Sequence, residues 1–260
     1  MSGGGSTGSG TGYGVDVLAF GPHPDDVEIF CGGTLIRLAD LGHSTAVIDL
    51  TRGEMASKGT PEERAREAEA AARVLGLRFR ENLGLPDTGI DPHDRAQLEA
   101  VVRAIRRHRP EILLVPWIEE RHPDHAAAGE LLTRAAYFAG VRNFAPGLER
   151  FVPRQLLYYQ LRYRMTPSFV IDTSAAAGRK MEAIACYQSQ VVRRPGDVPT
   201  LLSSSAALQA IDARDRAVGA LIGVSHGEAL RAPNVPGLVD PVRHFRDNAF
   251  PEAHTFEPLR

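Results

Sequence analysis

The stretch VDVLAFGPHPDD, Val15 to Asp26, joins two kinds of sequence within one short segment. Val15 to Phe20 is apolar except for Asp16, as expected of a strand buried on both faces of a parallel sheet. It gives way at once to Gly21-Pro22-His23-Pro24-Asp25-Asp26, where two prolines stiffen the backbone around one imidazole and two carboxylates. Working outward, Ala46 to Leu50 and Ile112 to Val115, the latter closed by Pro116, repeat the apolar strand pattern. Leu77 to Arg80 is a weaker strand. Helical spacing covers Gly32 to Leu41, Pro61 to Leu75, Asp94 to His108 and about His125 to Phe138, and Pro61 after Thr60 suits a cap followed by the first helical position. Strands alternating with helices at this spacing predict right-handed crossovers. The fold class is therefore α/β, a Rossmann-like, mostly parallel sheet with helices on both faces.

The second half of the chain is less regular. Gln155 to Leu161 and Phe169 to Ile171 read as strands, Arg179 to Gln188 and Ala206 to Leu221 as helices, together a C-terminal elaboration. Beyond Arg231 prolines are frequent and periodicity is lost, so an irregular surface tail is expected. Residues 1–13 read as a flexible Gly/Ser leader and 14–260 as a single domain.

Composition narrows the function classes. Lys and Arg number 30 against 32 Asp and Glu, a formal charge of −2, so no net basic field recruits nucleic acid or an anionic membrane. No apolar run approaches the roughly 20 residues of a membrane span. Two widely separated cysteines, Cys31 and Cys186, exclude a disulfide framework and read as free thiols, consistent with a reducing cytoplasm.

Ligands of an open parallel sheet bind beyond the carboxyl ends of its strands. Two such exits carry similar clusters: His23-Pro24-Asp25-Asp26 after the first strand and Arg121-His122-Pro123-Asp124-His125 after the fourth. One carboxylate per loop could be a helix cap or turn former. Two carboxylates beside one histidine at the first exit, and one carboxylate between two histidines at the second, exceed what capping needs. Imidazole and carboxylate without thiolate suit zinc bound by three protein ligands with one open position, leaving further His and Asp groups for proton transfer. The residues alone do not choose between Asp25 and Asp26 as ligand. A dinucleotide-binding oxidoreductase on a similar sheet is disfavoured, because the first turn is GPHPDD and lacks the glycines that let backbone approach a pyrophosphate.

The HPDD and HPDH loops, with TRGEM at Thr51 to Met55 between them, resemble the LmbE/PIG-L family of zinc N-deacetylases. NLGLPD at Asn82 to Asp87, PSFVID at Pro167 to Asp172 and YQSQ at Tyr187 to Gln190 extend the resemblance over roughly Val15 to Leu230. It implies one Zn2+ per chain on His23, Asp26 and His125, with Asp25 as general base. It also implies His122 as a cation facing the oxyanion or leaving amine, and Asp124 as the carboxylate that keeps His122 protonated. Arg52 would bind substrate and Arg121 a substrate carboxylate. The branch most resembled deacetylates N-acetylglucosaminyl malate in bacillithiol biosynthesis, with a chitooligosaccharide, an inositol glycoside or an antibiotic glycoside as alternative acetamido sugars; a non-catalytic sugar-binding protein is disfavoured because Asp25 is retained. Family members often form trimers or hexamers, so a homo-oligomer is expected. One departure matters: His226 stands before Gly227-Glu228 where the branch commonly has tyrosine, and is expected to complete the oxyanion pocket.

Overall fold

The computed structural model describes residues 14–247 except Arg194 and Ser205. The expected leader over residues 1–13 lies outside the described residues. Seven strands, β1 (Val15–Gly21), β2 (Thr45–Thr51), β3 (Phe79–Leu85), β4 (Pro110–Pro116), β5 (Gln155–Tyr159), β6 (Phe169–Asp172) and β7 (Gly227–Arg231), form one sheet in the order β3-β2-β1-β4-β5-β7-β6. β1 to β5 pair in parallel, and β7 runs antiparallel to both β5 and β6. After β1 the chain moves to one side through β2 and β3, then returns to place β4 against β1's other edge. The exits of β1 and β4 are therefore neighbours at the point where strand order reverses, the usual ligand crevice of such sheets.

Helices α1 (Asp26–Asp40), α2 (Pro61–Leu75), α3 (Arg95–His108), α4 (Pro123–Ala139), α5 (Ala177–Ala185), α6 (Gln188–Val191), α7 (Ala207–Gly219) and α8 (Pro241–Asp247) complete the described fold. Every residue of β2 is buried, because both faces are covered. Leu18, Phe20, Ile48, Leu113 and Val115 pack with residues of α3 and α4. The alternating Val17, Ala19, Val47 and Leu114 pack with Ile29, Phe30 and Leu35 of α1, Ile184 of α5 and Ile211 of α7. Among the described residues no helix is long and apolar enough to cross a membrane. Cys31 and Cys186 are both free, the first buried and the second partly so.

The structure corrects several boundaries. Thr60 caps α2 as expected, its side chain accepting from Glu63 N–H while Glu63 accepts from Thr60 N–H. β3 begins at Phe79 and runs to Leu85, past the expected end. β7 has no counterpart in the sequence reading, since its GEALR lacks a β-branched or aromatic residue. Past the buried Ala232, residues 233–244 are exposed, but the tail carries helix α8. Helix α1 starts at Asp26, six residues before the expected Gly32, and is broken at Cys31, whose backbone (φ −142°, ψ 16°) is not helical. The helical pattern in the sequence captures only the segment after the break.

Candidate metal and catalytic site

His23 lies at the end of a loop fastened to β2: Thr51 N–H and Oγ1–H both donate to Pro22 O, at 3.1 and 3.0 Å. Its ring is buried between carboxylates on both sides. Nδ1 is 3.1 Å from Asp26 Oδ2, while Nε2 is 3.0 Å from Asp87 Oδ1 and 3.3 Å from Asp124 Oδ2. Burial opposes charging the imidazole, but Asp124, Asp26 and Asp87 outweigh it and raise its pKa well above the ordinary value. The oxygen of Asp26 that meets His23 is also 3.2 Å from His125 Nε2. Burial works to raise the Asp26 pKa, yet His125 and His23 hold it well below the usual carboxylate range.

Asp25, the residue before α1, has φ 117°, a conformation that side-chain-bearing residues rarely adopt. Arg64, reaching in from α2, holds it there. Its Nη2 is 3.2 Å from Asp25 Oδ2 and donates to Pro24 O. Gly53, at φ 67°, lies against this guanidinium so closely that a Cβ would fall 2.0 Å from Arg64 Nη1. Burial pushes the Asp25 carboxyl up to about 7, against the pull of Arg64.

The second loop is built differently. His122 precedes α4 and Pro123 opens it, so Asp124 and His125 fall in the first turn rather than before it. The rings of His122 and His125 stack at 4.7 Å and His122 meets His23 edge-on at 5.1 Å. His122 is exposed at the rim. Partial burial, then His125 and His23, lower its pKa. Asp124 turns to His23 Nε2 and accepts Thr88 N–H at 2.7 Å, so the hydrogen bonds it makes orient His23 rather than His122.

Two three-residue groups bring ligand atoms within 4.8 Å of one another, His23–Asp26–His125 and His23–His122–Asp124. The first is the better cation site. It joins two imidazoles through one shared carboxylate oxygen, and the Nδ1 atom of His125 is buried with no hydrogen-bond partner. The far nitrogen of His23 is meanwhile occupied by carboxylates, the arrangement that orients metal-bound histidines. Four carboxylates, Asp25, Asp26, Asp87 and Asp124, crowd this space with Arg64 as their cationic partner at Asp25. That charge balance suits a divalent cation.

Two residues of this cluster escaped the sequence reading. Asp87 stands at the third strand exit, where the quoted NLGLPD ends. Its Oδ1 meets His23 and its Oδ2 accepts Met55 N–H at 2.8 Å; burial notwithstanding, the His23 contact and that N–H bring its pKa down to about 2. Arg64 sits among the alternating charges of α2, where nothing local marks the one arginine that turns inward. Glu54 ties the segment after β2 to the segment after β3, accepting N–H from Arg52 at 3.2 Å and from Asp87 at 2.9 Å.

Other candidates lie apart from the cluster. Arg52 and Arg121 are exposed on the same edge of the sheet, and the guanidinium of Arg52 lies beside Gly84. His226 does not join the cluster through any of its ring contacts. Its Nε2 is 2.9 Å from Asp212 of α7 and its Nδ1 3.0 Å from Ser225 Oγ. Trp117 belongs to the core and meets Tyr158 edge-on.

Residues 18–136, which span both loops, match the family model described as PIG-L: GlcNAc-PI de-N-acetylase. The diacetylchitobiose deacetylase of Thermococcus kodakarensis is 33% identical over 192 residues, 67% of this chain and 69% of that protein. The chain belongs to the PIG-L family of de-N-acetylases. It is thus a hydrolase of amide bonds. A probable N-acetyl-α-D-glucosaminyl L-malate deacetylase of Bacillus cereus is 27% identical over 67% of this chain and 83% of its own length. The conserved protein TT1542 of Thermus thermophilus superposes with a TM-score of 0.79 at 39% identity, over 86% of this chain and 97% of that one.

Proposed function

We propose that this protein is a zinc-dependent deacetylase that releases acetate from the acetamido group of an N-acetylglucosamine-type glycoside. The observation that carries the reading is the convergence of His23 and His125 on one carboxylate oxygen of Asp26, beside a further carboxylate, Asp25, that no ligand role requires. Zinc held by these three residues would polarise the acetamide carbonyl and acidify a water molecule. Asp25 is the base that takes the proton of the attacking water, and Arg64 aims its carboxylate. His122, on the open side of the cluster, hydrogen-bonds the acetamide oxygen as charge develops there. Asp87 and Asp124 fix the orientation of His23 from behind. Oxyanion stabilisation rests on His122, since both ring nitrogens of His226 are engaged by Asp212 and Ser225.

Similarity to the Thermococcus enzyme favours a short N-acetylglucosamine oligosaccharide such as diacetylchitobiose as substrate. The second reading, N-acetylglucosaminyl malate, is favoured by Arg52 and Arg121, two exposed guanidiniums at the crevice edge suited to a carboxylate-bearing aglycone. The setting we propose is the cytoplasm, consistent with free thiols. The zinc-loaded protein should release amine from one of these substrates. Turnover of diacetylchitobiose unaffected by Arg121→Ala supports the first reading; a malyl substrate whose KM rises in Arg121→Ala supports the second. Absence of amine release from any N-acetylglucosamine glycoside would sink both.

A further inference from the structure

Helix α1 delivers Asp26 in its first turn, yet that turn is cut off from the rest of the helix by the break at Cys31. The segment after a break is a second helix start, and its first amide N–H groups have no intrahelical acceptor. Here the acceptor comes from the far end of the sequence. Glu228 of β7 receives Gly33 N–H on Oε1 at 2.9 Å and Thr34 N–H on Oε2 at 2.7 Å. With Cys31 at the break, these are the second and third residues of the new segment, the donors that an N-cap side chain normally satisfies. Gly33 permits the approach, since a Cβ there would lie 2.9 Å from Glu228 Oε1 and from Thr173 Cβ.

The other side of the break is held too. Ile29 O accepts from Arg214 Nη2 of α7, and the same guanidinium lies 5.0 Å over the Phe30 ring. Lys180 of α5 bridges the system, with Nζ 2.6 Å from Glu228 Oε1 and 2.5 Å from Asp215 Oδ2; Asp215 Oδ1 in turn accepts from Arg214 at 2.9 Å. Lys180, Asp215 and Glu228 are nearly inaccessible. Two cations and two carboxylates thus close a buried network drawn from three elements of the C-terminal half, and it grips α1 at the break.

We propose that Glu228 is a positioning residue for the metal centre. By capping the second segment of α1 while Lys180 and Arg214 anchor it, Glu228 fixes the angle at which the short first turn presents Asp25 and Asp26. The C-terminal half therefore reaches the chemistry through the direction of one helical turn. This inference rests on Asp26 being a metal ligand, and the test separates the two ideas.

The probes are zinc and a thiol reagent. Cys31 sits at the break, fully buried, and burial followed by the Glu228 carboxylate raises its thiol pKa well above the ordinary value. In a Cys186→Ser background its alkylation reports opening of the break without reference to metal, and Arg214→Met gives the decisive rate, because losing the Glu228 charge alone speeds the reaction by lowering the thiol pKa whereas losing Arg214 raises it. Glu228→Gln keeps the side-chain size but leaves one acceptor for two N–H donors. Arg214→Met loosens the opposite side from a position that is partly solvent-accessible, and decides the matter should Glu228→Gln not fold. Both variants should bind zinc about tenfold more weakly, as when an outer partner of a metal ligand is removed. Both should alkylate Cys31 at least tenfold faster well below their melting temperatures, and lower kcat more than they raise KM. Parent-like zinc affinity and Cys31 protection in a folded variant, even one with a reduced Tm, would show a merely structural network and overturn the proposal. A parent protein that binds no zinc would refute the ligand assignment instead, while the Cys31 rates still judge the clamp.

Discussion

The two His-Pro-Asp loops look alike as sequence and behave differently as structure. In His23-Pro24-Asp25 the helix starts only after the tripeptide, so the histidine lies two residues ahead of the cap and the aspartate is the cap itself, at φ 117°. In His122-Pro123-Asp124 the histidine precedes the helix with ordinary extended backbone, φ −75° and ψ 122°, and the proline is the first helical residue. The shift changes every role. The first histidine is buried among carboxylates while the second is exposed at the rim. The first aspartate is held by Arg64; the second supports His23 from within a helical turn. Identical tripeptides specify chemistry only after the helix start is placed, and placement comes from what lies around them: Thr51 and Arg64 for the first loop, the N1 proline for the second.

The widest difference, between the paired first-position histidines His23 and His122, should appear in metal content. His23→Ala and His125→Ala should each reduce bound zinc to background in elemental analysis after mild dialysis, whereas His122→Ala should retain it. Zinc lost equally from all three would erase the distinction drawn between a buried ligand and a rim imidazole. Next in size is the contrast between the aspartates. Asp25→Asn should keep zinc and lose about 10²–10⁴-fold in kcat, the usual worth of a general base. Asp124→Asn should instead weaken zinc binding by about 10–100-fold, as expected of a group behind a ligand. Titration with a competing chelator and steady-state kinetics read the two effects separately. A smaller effect is expected at Gly53. Gly53→Ala forces Arg64 aside and should lower kcat by roughly 10²-fold or less through misaiming of Asp25, with zinc content unchanged. An alanine variant as active as the parent would mean that Arg64 does not set the carboxylate.

Much of this was legible in the sequence. The apolar strands at Val15 and Ile112 and the loops that follow them locate the crevice, because a strand buried on both faces has few alternative readings. Which of Asp25 and Asp26 faces the two histidines was not legible from residue types; it follows from a left-handed backbone at Asp25, which no local rule anticipates. Arg64 and Glu228 were hidden for a related reason. Each acts across a sequence separation that periodicity does not see, 40 residues from Arg64 to Pro24 and 195 from Glu228 to Gly33. His226 shows the converse: its sequence neighbourhood suggested an oxyanion partner, but Asp212 on α7 supplies a competing acceptor. The helical pattern of α1 is legible only from Gly32, after the break at Cys31; in the turn before it, Ile29 O accepts from Arg214 of α7, a contact far away in sequence.

The finest distinction between the loops concerns backbone strain, and glycine reads it. At residue 25 the left-handed φ costs a side-chain-bearing residue on the order of 1–3 kcal/mol. Replacing Asp25 by alanine or by glycine removes the same carboxylate and deserts Arg64 equally, so the difference between the two variants isolates the conformation. Glycine relieves the strain but gives back about 0.5–1 kcal/mol through its freer unfolded chain. Asp25→Gly should therefore be more stable than Asp25→Ala by about 1 kcal/mol. At residue 124, inside the first turn of α4, no strain exists to relieve. There alanine's better helix propensity should make Asp124→Ala more stable than Asp124→Gly by about 0.5–1 kcal/mol. Urea denaturation of the four variants measures both differences, with chelator present so that metal affinity does not enter the apparent stability. Opposite signs at the two aspartates are the expected result. The same sign at both would mean that Asp25 tolerates its backbone without strain, and that the helix start, not the φ of its cap, is what separates the two loops.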